Sequence, residues 1–407
     1  MATTEVPAAR PGYENRLLAI LFLAFGLVFF DRQALLFLAP YVTKDLGLTN
    51  TQLGAVSGVL ALTWAVAGMV TGRLSDRLAV RKPILVAAVI LFSVASAAAG
   101  LTTGFIGLLV ARGLMGFAEG AVLPVSQSLM LDASQEHRRG LNMGLVQGSS
   151  AGLLGGIVAP LLVVWTAEQW GWRAALLLTI LPGLLLTVWV IRSVRDIPKV
   201  PKENREPTPP LWSVLGKRNV LLCTLIACCY LTWFIVIITF APTYLVTVKG
   251  FSPGTMSLVM TCFGIAWVIW GFVTPAISDR IGRRTTMIVF TAIAAVCPIA
   301  VVYVADPVWL GIIVVVTYTG LGCFTLFMAT IPAETVPVTA LATALGVVMG
   351  VGELAGGFLA PVIAGAAADA WGLTSALYIS AGGAVLAMLL SFGLIETAPA
   401  VLRRRAG

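Results

Sequence analysis

The stretch GRLSDRLAVRK, residues 72–82, returns in shortened form as DRIGRR, residues 279–284, so that Asp76 and Asp279 stand 203 residues apart. Each copy follows one long apolar run and precedes another. A helix needs about 20 apolar residues to cross about 30 Å of hydrocarbon. Working outward from the two copies, twelve segments meet that length: 17–41, 52–71, 83–102, 105–131, 141–166 and 173–191, then 220–246, 253–277, 285–304, 308–331, 341–367 and 373–395. Across 407 residues, 59% are hydrophobic and only 11% charged, against about 25% charged in an average soluble chain. The expected fold class is an all-α membrane protein of twelve transmembrane helices in two six-helix bundles.

The only long polar interval is 192–218. Its Pro198, Pro201, Pro207, Pro209 and Pro210 prevent a continuous helix and suit a solvated linker. The expected organisation is therefore an N-terminal bundle over 1–191, a linker over 192–218 and a C-terminal bundle over 219–407. Of the 26 Lys and Arg residues, 21 fall on the side of the linker and the two repeated loops. Three (Lys44, Arg173 and Lys249) fall on the other, and Arg32 and Arg112 lie inside spans. By the positive-inside rule, both termini and the linker face the cytoplasm. The net charge of +8 is thus read as topology rather than as affinity for nucleic acid.

Residues 1–15 are polar and the run after them is too long for a signal-peptide core, so the first span is expected to stay in the mature protein. The six cysteines (Cys223, Cys228, Cys229, Cys262, Cys297, Cys323) all sit in apolar stretches. None has metal-ligand spacing, and they read as small packing residues. With no nucleophile–base set and no phosphate-binding loop, an enzyme is not expected, nor a metal or cofactor. A sensor or scaffold would call for large soluble segments.

The pattern Gly-x-Leu-Ser-Asp-Arg-x-x-x-Arg-Lys between spans two and three resembles the signature loop of the major facilitator superfamily. The echo between spans eight and nine extends the resemblance over nearly the whole chain. Ala79 stands where that family usually has Gly, and Pro275 where the second copy would begin with Gly. The resemblance implies a carrier working by alternating access, with Asp76, Arg77 and Arg81 and their counterparts Asp279, Arg280 and Arg283 as conformational-switch loops. The 6+6 layout also fits two bundles related by an axis along the membrane normal.

The ionisable residues at membrane depth are Asp31, Arg32, Arg112, Glu119 and Glu353. Each would be costly facing lipid, so each is expected to face a cavity or a partner. Arg112 and Glu119 are two helical turns apart and share a face about 10 Å apart along the axis, with Gly113, Gly116 and Gly120 removing bulk around them. Depths counted at about 1.5 Å per residue put Asp31 level with Arg112, so these two are expected to pair. The only histidine, His137, lies in a loop, so proton transfer is left to carboxylates.

Phe30-Asp31-Arg32 with Pro40 downstream, and Arg112 followed seven residues later by Glu119 with Pro124 beyond, are similar to the anion:cation symporter branch, which includes D-galactonate, sialin and vesicular glutamate carriers. That resemblance implies Arg32 and Arg112 as ligands of a substrate carboxylate, and Asp31 and Glu119 as proton carriers. An anion entering between the arginines would compete with Asp31, while desolvation favours the protonated form of Glu119. Uptake of anion plus proton would neutralise the site and permit the rocking step.

Glu353 departs from the branch pattern and is a candidate third proton site or acceptor of a substrate hydroxyl, the alternative being that it faces a Ser or Thr in the interface. Superfamily resemblance adds Tyr230, Trp233 and Tyr318 as cavity-lining candidates. Gln33, Gln127 and Gln147 are polar at membrane depth, Gln147 being the best placed to bond a substrate hydroxyl. The glycines at 144, 148, 152, 155 and 156 read as close packing or bending. The expected function is proton-coupled symport of an organic anion: a sugar acid, an aromatic acid or a small mono- or dicarboxylate. The alternative is a proton-coupled drug or metabolite exporter on the same fold. The expected setting is a bacterial inner membrane, with a monomer as the working unit, the proton gradient as driving force, and no nucleic-acid partner.

Overall fold

A computed structural model describes residues 11–78, 81–135, 138–195 and 214–406. Among them, eleven helical stretches are long and apolar enough to cross a membrane. One, Leu141–Ser193, has 53 residues, about 80 Å at 1.5 Å per residue and more than twice the hydrocarbon thickness. It is broken at Gly171, whose φ of 85° and ψ of 159° belong to a backbone region that glycine enters freely. Counting it as two gives twelve spans. Gly372, with φ 87°, turns the chain in the same way between spans eleven and twelve, and a tryptophan precedes each of these glycines.

In the first half the spans are Pro11–Phe37, Asn50–Leu78, Lys82–Ala99, Phe105–Ala133, the composite from Arg139 to Gly171, and the stretch onward to Ser193. A short helix, Ala39–Leu46, extends the first. In the second half they are Arg218–Thr247, Pro253–Ile281, Arg283–Tyr303, the composite Pro307–Thr335, the composite Val338–Trp371, and Thr374–Ser391. Local chemistry sets several starts. Ser252 accepts a hydrogen bond from the Thr255 amide at 3.1 Å, Asp306 accepts from the Val308 and Trp309 amides, and each is followed by Pro at the first helical position. The helix Pro399–Ala406 lies beyond the last of the twelve expected segments. The linker over 192–218 falls mostly in 196–213, outside the described residues.

Four segments wind as wider π-turns: Leu145–Ser149 and Ala151–Val158 in span five, Leu326–Thr330 in span ten, and Glu353–Leu359 in span eleven. Span ten is also interrupted at Tyr318, where ψ reaches 45°.

Two ends of the molecule differ. At the end carrying the basic loops, several ion pairs among the described residues lie within a bundle. Arg81 pairs with Asp132, while Arg283 grips Glu334 through Nη2 at 3.0 Å and Nε at 3.3 Å and reaches Asp279 at 2.5 Å. Glu396 caps the start of span nine, accepting from the amides of Arg283 (2.7 Å) and Arg284 (3.2 Å). Asp76 and Arg77 lie in the second span, but their side chains are outside the described residues, and the Arg280 side chain is exposed. Arg283 was expected as a switch residue; its partner Glu334, and Asp132 opposite Arg81, were not singled out. Positions 81 and 283, and 132 and 334, are each 202 apart, so the repeat extends to the partners.

At the opposite end the bundles meet. A Cβ placed on Gly54 would come within 2.1 Å of the Pro361 carbonyl oxygen, and one on Gly58 within 2.6 Å of that of Phe358. Gly156 and Gly264 press spans five and eight together in the same way, a Cβ on Gly156 falling 2.6 Å from the Gly264 Cα. Asp369 of span eleven accepts four hydrogen bonds from the start of span two: Asn50 N at 2.8 Å, Asn50 Nδ2 at 2.9 Å, Thr51 N at 2.9 Å and Thr51 Oγ1 at 2.6 Å. These satisfy amides a helix start leaves unpaired. The basic half of span eleven, Val338–Gly352, touches span two much more sparsely than its other half. Nearby, Arg173 and the Trp172 indole both donate to Asp45; the Arg173 hydrogen bond holds that exposed carboxyl below the usual carboxylate range.

Candidate substrate and proton site

Spans two and four pack closely because Gly116 and Gly120 leave no side chain between them and the Leu60 and Trp64 carbonyls; a Cβ on either would fall 2.4 Å away. This brings Arg112 and Glu119 of span four against spans one and two. Arg112 is 2% exposed. Its Nη2 donates to the Arg32 carbonyl at 2.8 Å and its Nη1 reaches the Asp31 carbonyl at 3.5 Å. A helical carbonyl has a second lone pair for such a donor. Arg112 Nε has no partner.

The expected Asp31–Arg112 carboxylate pair is thus replaced by contact with the backbone of residues 31 and 32. The Asp31 carboxyl lies beside the Ser96 and Thr179 hydroxyls instead, themselves 3.0 Å apart, inside the N-terminal bundle between spans one, three and six. Arg32 projects the other way. Its guanidinium lies 5.8 Å from the ring centroid of Phe29 and 5.7 Å from that of Trp64, within cation–π range. Among the described residues no ion pair engages it.

Two further carboxyls look toward Arg32. Glu119 is fully buried, with both oxygens lacking a hydrogen-bond partner, and it feels the charges of Arg32 and Arg112. Glu353, 5% exposed, opens the π-turn of span eleven and folds over Gly357 beside Ala61 of span two. Its Oε2 has no partner, and Arg32 is again the charge it feels.

Arg32 and Arg112 line one recess at the bundle interface, together with Phe29 and Gln33 of span one, Ser57 of span two and Phe234 of span seven. Of the remaining candidates, Gln147 is half-buried in the π-turn of span five. Tyr230, Trp233 and Tyr318 cluster in the C-terminal bundle, with ring centroids 5.4 and 4.7 Å apart, and join the recess through Phe234, on which Tyr230 stacks at 6.3 Å. The Trp233 indole donates to the Ala294 carbonyl at 3.0 Å, so its polar edge is turned into the bundle. The recess aromatics Phe29 and Phe234 were not anticipated. They lie three residues before Arg32 and four after Tyr230, on the faces that helical spacing would have indicated. Among the described residues no His/Cys/Asp/Glu group is arranged to hold a metal ion.

A membrane-embedded pair of bundles that meet at a charged recess defines a carrier rather than an enzyme. The family model of the Major Facilitator Superfamily matches residues 21–358, and the chain belongs to that superfamily. It is 31% identical over 344 residues to a probable 4-methylmuconolactone transporter of Cupriavidus pinatubonensis, covering 80% of this chain and 78% of the relative. It is 24% identical to a D-galactonate transporter of Escherichia coli, covering 92% and 94%. Its fold is similar to that of a bacterial homologue of the human lysosomal transporter Spinster, with a TM-score of 0.78, 20% identity and coverage of 94% and 97%.

Proposed function

We propose that this carrier takes up a small organic carboxylate together with protons by alternating access. The observation that carries the reading is one recess holding two arginines, with an unpartnered, fully buried glutamate two helical turns from Arg112 on the same span. The free Nε of Arg112 and the guanidinium of Arg32 offer planar donors suited to a carboxylate. Asp31, Glu119 and Glu353 are the proton carriers of the scheme. Protonation of Glu119 and Glu353 removes the charges that compete for Arg32, and the arriving carboxylate replaces them. Relatives named for 4-methylmuconolactone, D-galactonate and hexuronate transport support an organic-acid substrate.

The positive-inside bias supports a basic end that faces the cytoplasm, in the setting of a bacterial inner membrane. The bundle contacts at the opposite end then make this the conformation closed to the outside. The monomer is the working unit. The test is uptake of organic acids by proteoliposomes under an imposed pH gradient. Glu119→Gln is expected to abolish gradient-driven accumulation while leaving exchange of internal for external substrate, and Arg112→Ala to abolish both. Normally folded variants that still accumulate substrate would sink the proposal.

A further inference from the structure

The walls of the recess say more about the cargo than its arginines do. Around Arg32 and Arg112 the lining is Phe29, Leu36, Phe234, Ile235 and Ile238. The polar groups besides the arginines are few. Ser57 Oγ is already engaged with Thr239 Oγ1 at 2.8 Å, which leaves Gln33, 5% exposed. A run of aromatic rings continues from the recess across the bundle interface. Phe29 meets Trp267 of span eight edge-on at 5.4 Å, and Trp267 meets Phe234 edge-on at 5.5 Å. Phe29, Phe234 and Trp267 are each only half-buried, so ring surface is available to a bound molecule. Arg32 itself lies within cation–π range of two of the surrounding rings.

We infer that the cargo is a flat, largely apolar carboxylate, an aromatic or unsaturated ring acid, and not a polyhydroxylated sugar acid. The inference rests on the carboxylate reading above and narrows it. A ring acid places its carboxylate on the arginine donors and its body against Phe29, Phe234 and Trp267, where aromatic faces and edges attract one another. A sugar acid would bring several hydroxyls to walls that hold one uncommitted amide, leaving only the proton-carrying Glu119 and Glu353 nearby to receive them. Each hydroxyl stripped of water without a replacement partner weighs against binding. A site of this make-up therefore discriminates by what it cannot hydrogen-bond.

The test is uptake and competition in proteoliposomes containing the whole chain, with benzoate, 4-hydroxybenzoate and cinnamate as flat acids and gluconate, glucuronate and galactonate as hydroxylated ones. At least one flat acid is expected to bind about tenfold or more tighter than every hydroxylated acid. Phe234→Leu, which keeps bulk but removes the ring, is expected to weaken the flat acid several-fold. Arg112→Ala is expected to abolish uptake of either kind. Equal or better transport of a hydroxylated acid, or a preference untouched by Phe234→Leu, overturns this inference while leaving the carboxylate reading standing. Failure of all six acids to bind or be transported overturns both.

Discussion

Arg112 spends two of its nitrogens on the backbone of span one and keeps Nε free. It therefore fastens spans one and four together beside the recess and keeps one donor uncommitted. A lysine retains the charge but offers no planar fork to do these two things at once. Arg112→Lys is expected to fold and to bind substrate about tenfold to a hundredfold more weakly, the loss of one charge-assisted hydrogen bond, as read by titration of the purified protein. The five intramembrane charges were legible in the sequence because ionisable residues are rare in apolar runs. Where Asp31 points was not. Counting residues along a helix gives height, whereas neighbours differ by about 100° around the axis, so Asp31 turns to Ser96 and Thr179 while Arg32 turns to the recess. Tyr230, Trp233 and Tyr318 show the same gap between depth and direction.

The twelve spans were legible as elements because each needs only length and apolarity. Their interruptions were not: the π-turns and the break at Tyr318 depend on which turns touch a neighbouring helix, and glycine-rich segments permit several windings equally. Asp369 was overlooked because one acid near a span end resembles ordinary loop charge, and its partners lie more than 300 residues away at Asn50 and Thr51. It caps a helix belonging to the other bundle, so the bond lasts only while that end is closed. Removing a cap of this kind costs about 0.5–2 kcal/mol. Asp369→Ala is expected to shift the conformational equilibrium roughly twofold to thirtyfold toward opening at that end. Labelling by a membrane-impermeant thiol reagent of a cysteine placed at Ile238, in a background lacking native cysteines, measures the shift. Labelling unchanged from the parent would show that the glycine contacts alone hold this end shut.

For the molecule as a whole, the repeated loop predicted two like halves, and the partners Asp132 and Glu334 show the repeat reaching further than the loop itself. In this conformation those pairs hold each bundle together internally, while the contacts between bundles gather at the other end. On the proposed scheme the charged set at membrane depth is three carboxyls and two arginines, Glu119 and Glu353 together with Asp31 inside the N-terminal bundle, against Arg32 and Arg112. Fully ionised, that set is one negative charge out of balance. One bound proton makes the empty site neutral, and two make it neutral with a monocarboxylate aboard. If only neutral forms cross, each cycle moves one proton and one anion, and membrane voltage does no work on it. A carrier moving one extra proton would instead accumulate its cargo about fiftyfold further for each 100 mV. Steady-state accumulation in vesicles clamped with potassium and valinomycin is thus expected to follow the pH gradient and ignore the voltage, and a dicarboxylate to draw in two protons.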